Sequence, residues 1–265
     1  IVACVGLLGA VMAALIGEHY TWQTSYFIGG GMGLLLLLLR VGLVESGMFK
    51  ETTENEKVQR GNFFMLFNNW SRFKKYLCCI FIGLPLWYVV GVLITFSPEF
   101  GKALNATGVL NAGKGIMYCY IGISVGDVVA GLLSQLLKSR KQVMLIFLLL
   151  TGVAVVVYLY SFGITPERFI LLSLFLGFAS GYWATFVTIA AEQFGTNLRA
   201  TVTTTVPNFI RGSLVAITTG FQFFKDKLGI LEGAAVVGSI CLIVSLLALS
   251  QLKETFSKDL DYVEH

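Results

Sequence analysis

An aspartate and an arginine stand where the surrounding residues are almost all apolar. Asp127 lies in Gly126-Asp127-Val-Val-Ala-Gly131, and Arg211 in Pro207-Asn208-Phe209-Ile210-Arg211-Gly212. Each sits inside a stretch long enough to cross a bilayer, where a charged side chain costs roughly 2.5–3.5 kcal/mol on insertion scales. Both must therefore face other protein or water. A carboxyl group that is charged in one surrounding and neutral in another can take up a proton on one side of a membrane and release it on the other. That makes Asp127 a candidate proton-coupling group, and Arg211 a candidate partner for it or for an anionic substrate. The plainer reading stays open, because flanking glycines would also let both residues be tied to backbone or a neighbouring helix in a close-packed interface.

A second group of charges lies at helix ends. Arg140, Lys141, Glu192 and Arg199 fall on short connections, and an ion-pair cluster there could close one end of a passage and break when it opens. The alternative is a set of solvated loop charges that only mark topology. Polar and aromatic residues at helix depth mark possible cavity walls: Trp87 and Tyr88 beside Pro85, Tyr118 and Tyr120, Tyr182 and Trp183 with Thr185, and Asn208. Interhelical packing or an interfacial aromatic belt would use the same residue types.

Other chemistries find no support in the sequence. The only histidines are His19 and His265, and Cys4, Cys78, Cys79, Cys119 and Cys241 all lie in apolar runs without metal-ligand spacing. No His-Glu-x-x-His or Walker pattern occurs, so neither an enzyme nor an ATP-driven pump is expected, and no cofactor. The run Gly29-Gly30-Gly31-Met32-Gly33 opens an apolar helix with no strand before it, so it is not a phosphate loop; Gly29/Gly33, Gly122/Gly126 and Gly177/Gly181 read instead as close-packing faces. The sequons at Asn69 and Asn105 are read as chance.

The elements that must position these residues follow from composition. Hydrophobic residues make up 56% of the chain, charged residues 13%, and mean hydropathy is +0.79. Such a chain has too little polar surface to cover a soluble fold, so the lipid bilayer is its expected solvent and nucleic acid is not an expected partner. Crossing the hydrocarbon takes about 20 apolar residues in a helix. Eight stretches qualify, near 1–17, 23–44, 76–97, 113–137, 143–162, 168–191, 200–222 and 230–252. A stretch over 62–76 alternates aromatic and polar residues and is expected to form a helix lying on the membrane surface. Alternating the loops puts thirteen Lys and Arg on one side and five on the other, which predicts a cytoplasmic central loop and C-terminus, in a plasma (inner) membrane. Ile1 opens within an apolar run, so truncation inside a helix is expected. A faint repeat relates Leu43-Val44-Glu45-Ser46 to Leu252-Lys253-Glu254-Thr255 and suggests two related halves.

Three local patterns carry a family resemblance. Gly131-Leu-Leu-Ser134-Gln135-Leu-Leu-Lys138-Ser139-Arg140-Lys141 resembles the loop signature Gly-x-x-x-Asp-Arg-x-Gly-Arg-Arg of the major facilitator superfamily, in a degenerate copy with Gln135 for the acid. Glu192-Gln-Phe194-Gly195-Thr196-Asn-Leu-Arg199 is similar to its Glu-x-Phe-Pro-Thr-x-x-Arg, and Arg40 to Glu45-Ser46 to its Pro-Glu-Ser-Pro, without the prolines. The resemblance implies an all-α membrane protein holding a partial major-facilitator fold, helices 5–12 of 12. Residues 1–45 would then be the last two helices of the first half, 46–75 a central cytoplasmic loop with an amphipathic helix, 76–252 the six-helix second half and 253–265 a cytoplasmic tail. The missing N-terminal helices of the same protein would complete the passage, and the third, fourth, sixth and seventh helices would line it. The flavour resembles metabolite:proton symporters and sugar-porter-like members, which implies secondary transport of a small organic solute (carboxylate, osmolyte or sugar) with a proton. A channel or a non-transporting sensor on the same scaffold is the alternative.

Overall fold

The computed structural model describes residues 2–40, 61–257 and 264, and every regular element among them is helical. In chain order these are α1 (Val2–His19), α2 (Trp22–Arg40), α3 (Trp70–Phe81), α4 (Leu84–Tyr88), α5 (Ser97–Ala103), α6 (Ala112–Leu136), α7 (Arg140–Leu159), α8 (Pro166–Ala179), α9 (Trp183–Glu192), α10 (Thr196–Leu228) and α11 (Ile230–Gln251). Among the described residues, six helical segments are long and apolar enough to cross a membrane: Trp22–Leu39, Trp70–Ile94, Ala112–Leu136, Arg140–Leu159, Pro166–Glu192 and Ile230–Gln251. Of the eight crossings expected, α1 and α10 stand outside those six. In α10 the physical reason is composition, since a run of threonines, Asn208, Arg211 and two lysines dilutes its apolar residues over 33 positions.

One expectation is revised. The stretch 62–76 does not form one surface helix: a short 3-10 turn over Phe63–Leu66, capped by Asn62, gives way to α3, which Asn69 caps and which runs on into a membrane span. Asn62 and Asn69 each accept a backbone N–H two residues on, and two caps this close split the segment in two. Residues 41–60, with the Glu45-Ser46 pattern and most of the central loop, lie outside the described residues.

Two of the spans are broken rather than continuous. The span Trp70–Ile94 passes from α3 through a turn at Ile82 and Gly83 into α4, then into a π-helical turn over Val89–Ile94. The span Pro166–Glu192 stops at Ala179 and restarts at Trp183. In lipid a carbonyl left open by a break must find a donor inside the protein. Ser245 of α11 donates to Phe81 O at 2.7 Å, Tyr158 of α7 to Leu93 O at 2.9 Å, and the Thr151 hydroxyl lies 2.9 Å from Ala179 O. The breaks are thus satisfied by neighbouring helices and persist.

The tightest seam joins α6 to α8. A side chain on Gly122 or Gly177 would run into backbone of the facing helix, and Gly126 and Gly181 meet in the same way one turn along. Removing four Cβ atoms lets the two backbones touch, the packing that substitutes for hydrophobic drive in a bilayer. Gly29 and Gly33, by contrast, meet nothing within 4 Å.

Candidate functional site

The seam places Asp127 against the break between α8 and α9. Gly126 packs on Gly181, so the next residue of α6 reaches the start of α9. Asp127 is 3% exposed, and its Oδ1 accepts the Ala184 N–H at 2.9 Å. It therefore caps α9 from another helix, its carboxyl group facing the positive end of the α9 dipole. The Oδ2 atom is buried with no hydrogen-bond partner among the described residues. One oxygen has a structural task; the other is uncommitted.

Arg211 reaches the same turn from α10. Its guanidinium lies 5.3 Å from the Trp183 ring centroid, within cation–π range, and Nη1 donates to Asn208 Oδ1 at 3.2 Å. Asp127 and Arg211 thus act on adjacent residues, Ala184 and Trp183, and the contacts described for them do not include each other. Arg211 borders a cavity of about 240 Å³ together with Gly6 of α1, Leu86 and Trp87 of α4, Tyr120 and Ile123 of α6, and Trp183. Trp87 and Trp183 meet edge to face with centroids 6.3 Å apart, and Trp87 Nε1 is buried with no hydrogen-bond partner among the described residues. The cavity therefore offers one fixed cation, one unused indole N–H, the Tyr120 phenol and otherwise apolar or aromatic wall.

The remaining aromatic candidates stand elsewhere. Tyr88 is buried and donates to Ala234 O at 2.7 Å, locking α4 to α11. Tyr182 is fully buried at the break, and Tyr118 is half-buried on α6 without bordering the cavity. Asn208 orients Arg211 and donates to Thr204 O at 3.0 Å.

At the other end of α9 lies the second group of charges. Arg140 approaches Glu192 Oε1 at 3.5 Å and donates to Ser134 Oγ at 2.6 Å. The Lys141 ammonium donates to the carbonyls of Leu252 at 2.6 Å and Ser250 at 3.1 Å. Arg199 stands in the first turn of α10 at the same end. Sequence reasoning missed the organiser of this region, Glu254. Its carboxylate accepts the Ser139 hydroxyl and the backbone N–H groups of Arg140 and Lys141 at 3.0 and 3.2 Å, and so caps α7. Burial pushes the Glu254 carboxyl up, but these hydrogen bonds together with the Phe256 N–H carry it down to about 2. Thr255 donates to Glu192 Oε2 at 2.6 Å, and Gln193 to Lys253 O at 2.6 Å, so the tail is stitched to the end of α9. The echo of Glu45-Ser46 in Glu254-Thr255 was the available signal; it was read only as a mark of repetition.

The sequence matches the family model described as Major Facilitator Superfamily over residues 1–219. No curated protein matches the chain.

Proposed function

This chain belongs to the Major Facilitator Superfamily and is a polytopic integral membrane transporter; from that premise we propose that it is a proton-coupled symporter of a small organic carboxylate. The observation that carries the proposal is the convergence of Asp127 and Arg211 on the first turn of α9. A proton on Asp127 would sit on Oδ2, the oxygen with no other partner, while Oδ1 keeps its hold on Ala184. A substrate carboxylate would take the free face of the Arg211 guanidinium, with Trp87 Nε1 as a second donor. The sparse polar lining favours a carboxylate with an apolar body over a sugar, whose many hydroxyls would each need a partner.

The broken span supplies the link to an opening. Helix α9 is ten residues, about 15 Å at 1.5 Å per residue. Proton and substrate act on its first turn, and the Arg140–Glu192 contact holds its last residue. A rigid segment this short carries a shift at one end to the other, so loading the site and loosening the charge cluster become one event. The two helices before residue 46 and the six over 76–252 are read as parts of two halves that rock about this site. The excess of Lys and Arg puts the central loop and the tail on the cytoplasmic side of a plasma membrane. Lipid is the surrounding partner, and a small carboxylate and a proton are the cargo.

The test is uptake of a panel of monocarboxylates, sugars and amino-acid osmolytes into vesicles carrying the protein, under an imposed pH gradient. Asp127→Asn should abolish uphill accumulation while leaving substrate exchange across the membrane intact. Arg211→Lys, which keeps the charge but loses the planar contact with Trp183, should weaken carboxylate binding about tenfold. Gradient-driven accumulation unchanged in Asp127→Asn would sink the reading, and conduction that a protonophore leaves untouched would favour a channel.

A further inference from the structure

A second polar cavity, of about 550 Å³, opens at the end of the bundle where α3, α9, the end of α11 and the tail meet. Its floor holds two cations fixed by partners of their own. Arg72 is 7% exposed and donates from Nη1 to Met65 O at 2.8 Å. Lys75 donates to Gln193 O at 2.7 Å and lies 4.3 Å from the Phe194 ring centroid. Seated between them is a carboxylate from the far end of the chain: Glu264 Oε2 meets Arg72 Nε at 2.9 Å, and Oε1 meets Lys75 Nζ at 2.8 Å. The main chain of the same residue is held as well. Glu264 N–H donates to Asn197 Oδ1 at 3.0 Å, and Asn197 Nδ2 donates back to Glu264 O at 2.9 Å.

Two features set this apart from an ordinary ion pair. Recognition is of a peptide residue, since the Asn197 carboxamide reads both the backbone donor and the backbone acceptor while Arg72 and Lys75 read the side-chain carboxylate. Arg72 and Lys75 are also oriented by other contacts, so the cationic part of the receptor keeps its form when the residue leaves, which lowers the cost of filling it. The cavity is moreover far larger than one carboxylate and carries Lys74 and Lys253 on its rim, matched in sequence by Asp259, Asp261 and Glu264 of the last eight residues. We propose that this cavity is a docking site for an acidic peptide segment, occupied in cis by Glu264, and that its occupancy holds the tail end of the bundle closed. The site is separate from the Arg211 cavity, and the proposal does not rest on what that cavity transports.

Cys78 lines the docking cavity at 7% exposure and reports on its closure. The experiment is maleimide alkylation of the detergent-purified protein, with the adduct located on Cys78 by peptide mass spectrometry. Glu264→Lys, which sets a third cation against Arg72 and Lys75, should speed Cys78 labelling about tenfold. Excess synthetic peptide with the sequence of residues 258–265 should slow it again, whereas the same peptide with Gln in place of Glu264 should not. The buried Cys241 of α11 serves as control and should label at an unchanged rate. Unchanged Cys78 labelling in Glu264→Lys overturns the proposal, as does equal protection by both peptides. Equal acceleration at Cys241 also overturns it, since Glu264 would then only stabilise the fold as a whole.

Discussion

At the end of the bundle that carries Arg140 and Arg72, acidic side chains are drawn in among cations and backbone donors. Glu192 meets Arg140 with the two side chains 13% and 18% exposed, Glu264 meets Arg72 and Lys75, and Glu254 spends its carboxylate on the start of α7. Helix α10 runs from that end about 50 Å to the other. There, among the described ion pairs, Lys225 meets Glu99 of α5, with side chains 27% and 44% exposed. One end is a network with shared partners; the other is a single pair open to solvent. Charges that share partners and lose water together act cooperatively, while a solvated pair contributes little and responds to salt. The network end is therefore expected to be the harder of the two to pull apart.

The contrast can be tested from its strongest point downward. Glu254→Ala removes the cap of α7 and leaves the Arg140 and Lys141 N–H groups short of their partner, so it should cost about 1–3 kcal/mol, read as a lowered melting temperature of the purified protein. A fall as small as that of a surface mutation would break the comparison. Acidification comes next. Glu254 titrates at about 2 when folded against an ordinary value of 4.5, so its contribution is complete above about pH 4.5 and is lost as pH falls toward about 2. Melting temperature should therefore drop across that window in the wild type, and less steeply in Glu254→Gln, which has no carboxylate to protonate. Glu192→Gln keeps an acceptor for Thr255 but gives up the charge facing Arg140; it should cost about 1 kcal/mol and raise accessibility at the tail end. The smallest effect belongs to Glu99→Gln, about 0–1 kcal/mol and vanishing in high salt. A larger or salt-independent loss there would mean that the two ends are built alike.

Much of the fold was legible along the chain. Asn111, Ser139 and Thr165 each cap the helix that follows, accepting the N–H three residues on, and the apolar runs between such caps are the spans. The glycine pairs 122/126 and 177/181 were legible as a seam, though the same spacing at Gly29 and Gly33 has no facing helix among the described residues. Tyr88 and Trp87 show where legibility stops. They are neighbours of one type, yet one hydroxyl is spent inside the core on Ala234 and the other ring borders the cavity.

Hydropathy and spacing are properties of the chain itself, so the sequence alone determined an all-helical membrane protein, its family, and the positions of Asp127 and Arg211 along their helices. Position runs along a helix axis; direction runs around it, and direction depends on which neighbour arrives. Only the tertiary structure decided that Asp127 faces the start of α9, that Arg211 lies over Trp183, and that an acid from the last residues of the chain returns to Arg72 and Lys75. Those contacts join residues distant in sequence, and no local pattern encodes them, because each is set by the packing of helices around breaks that must find their hydrogen bonds inside the protein.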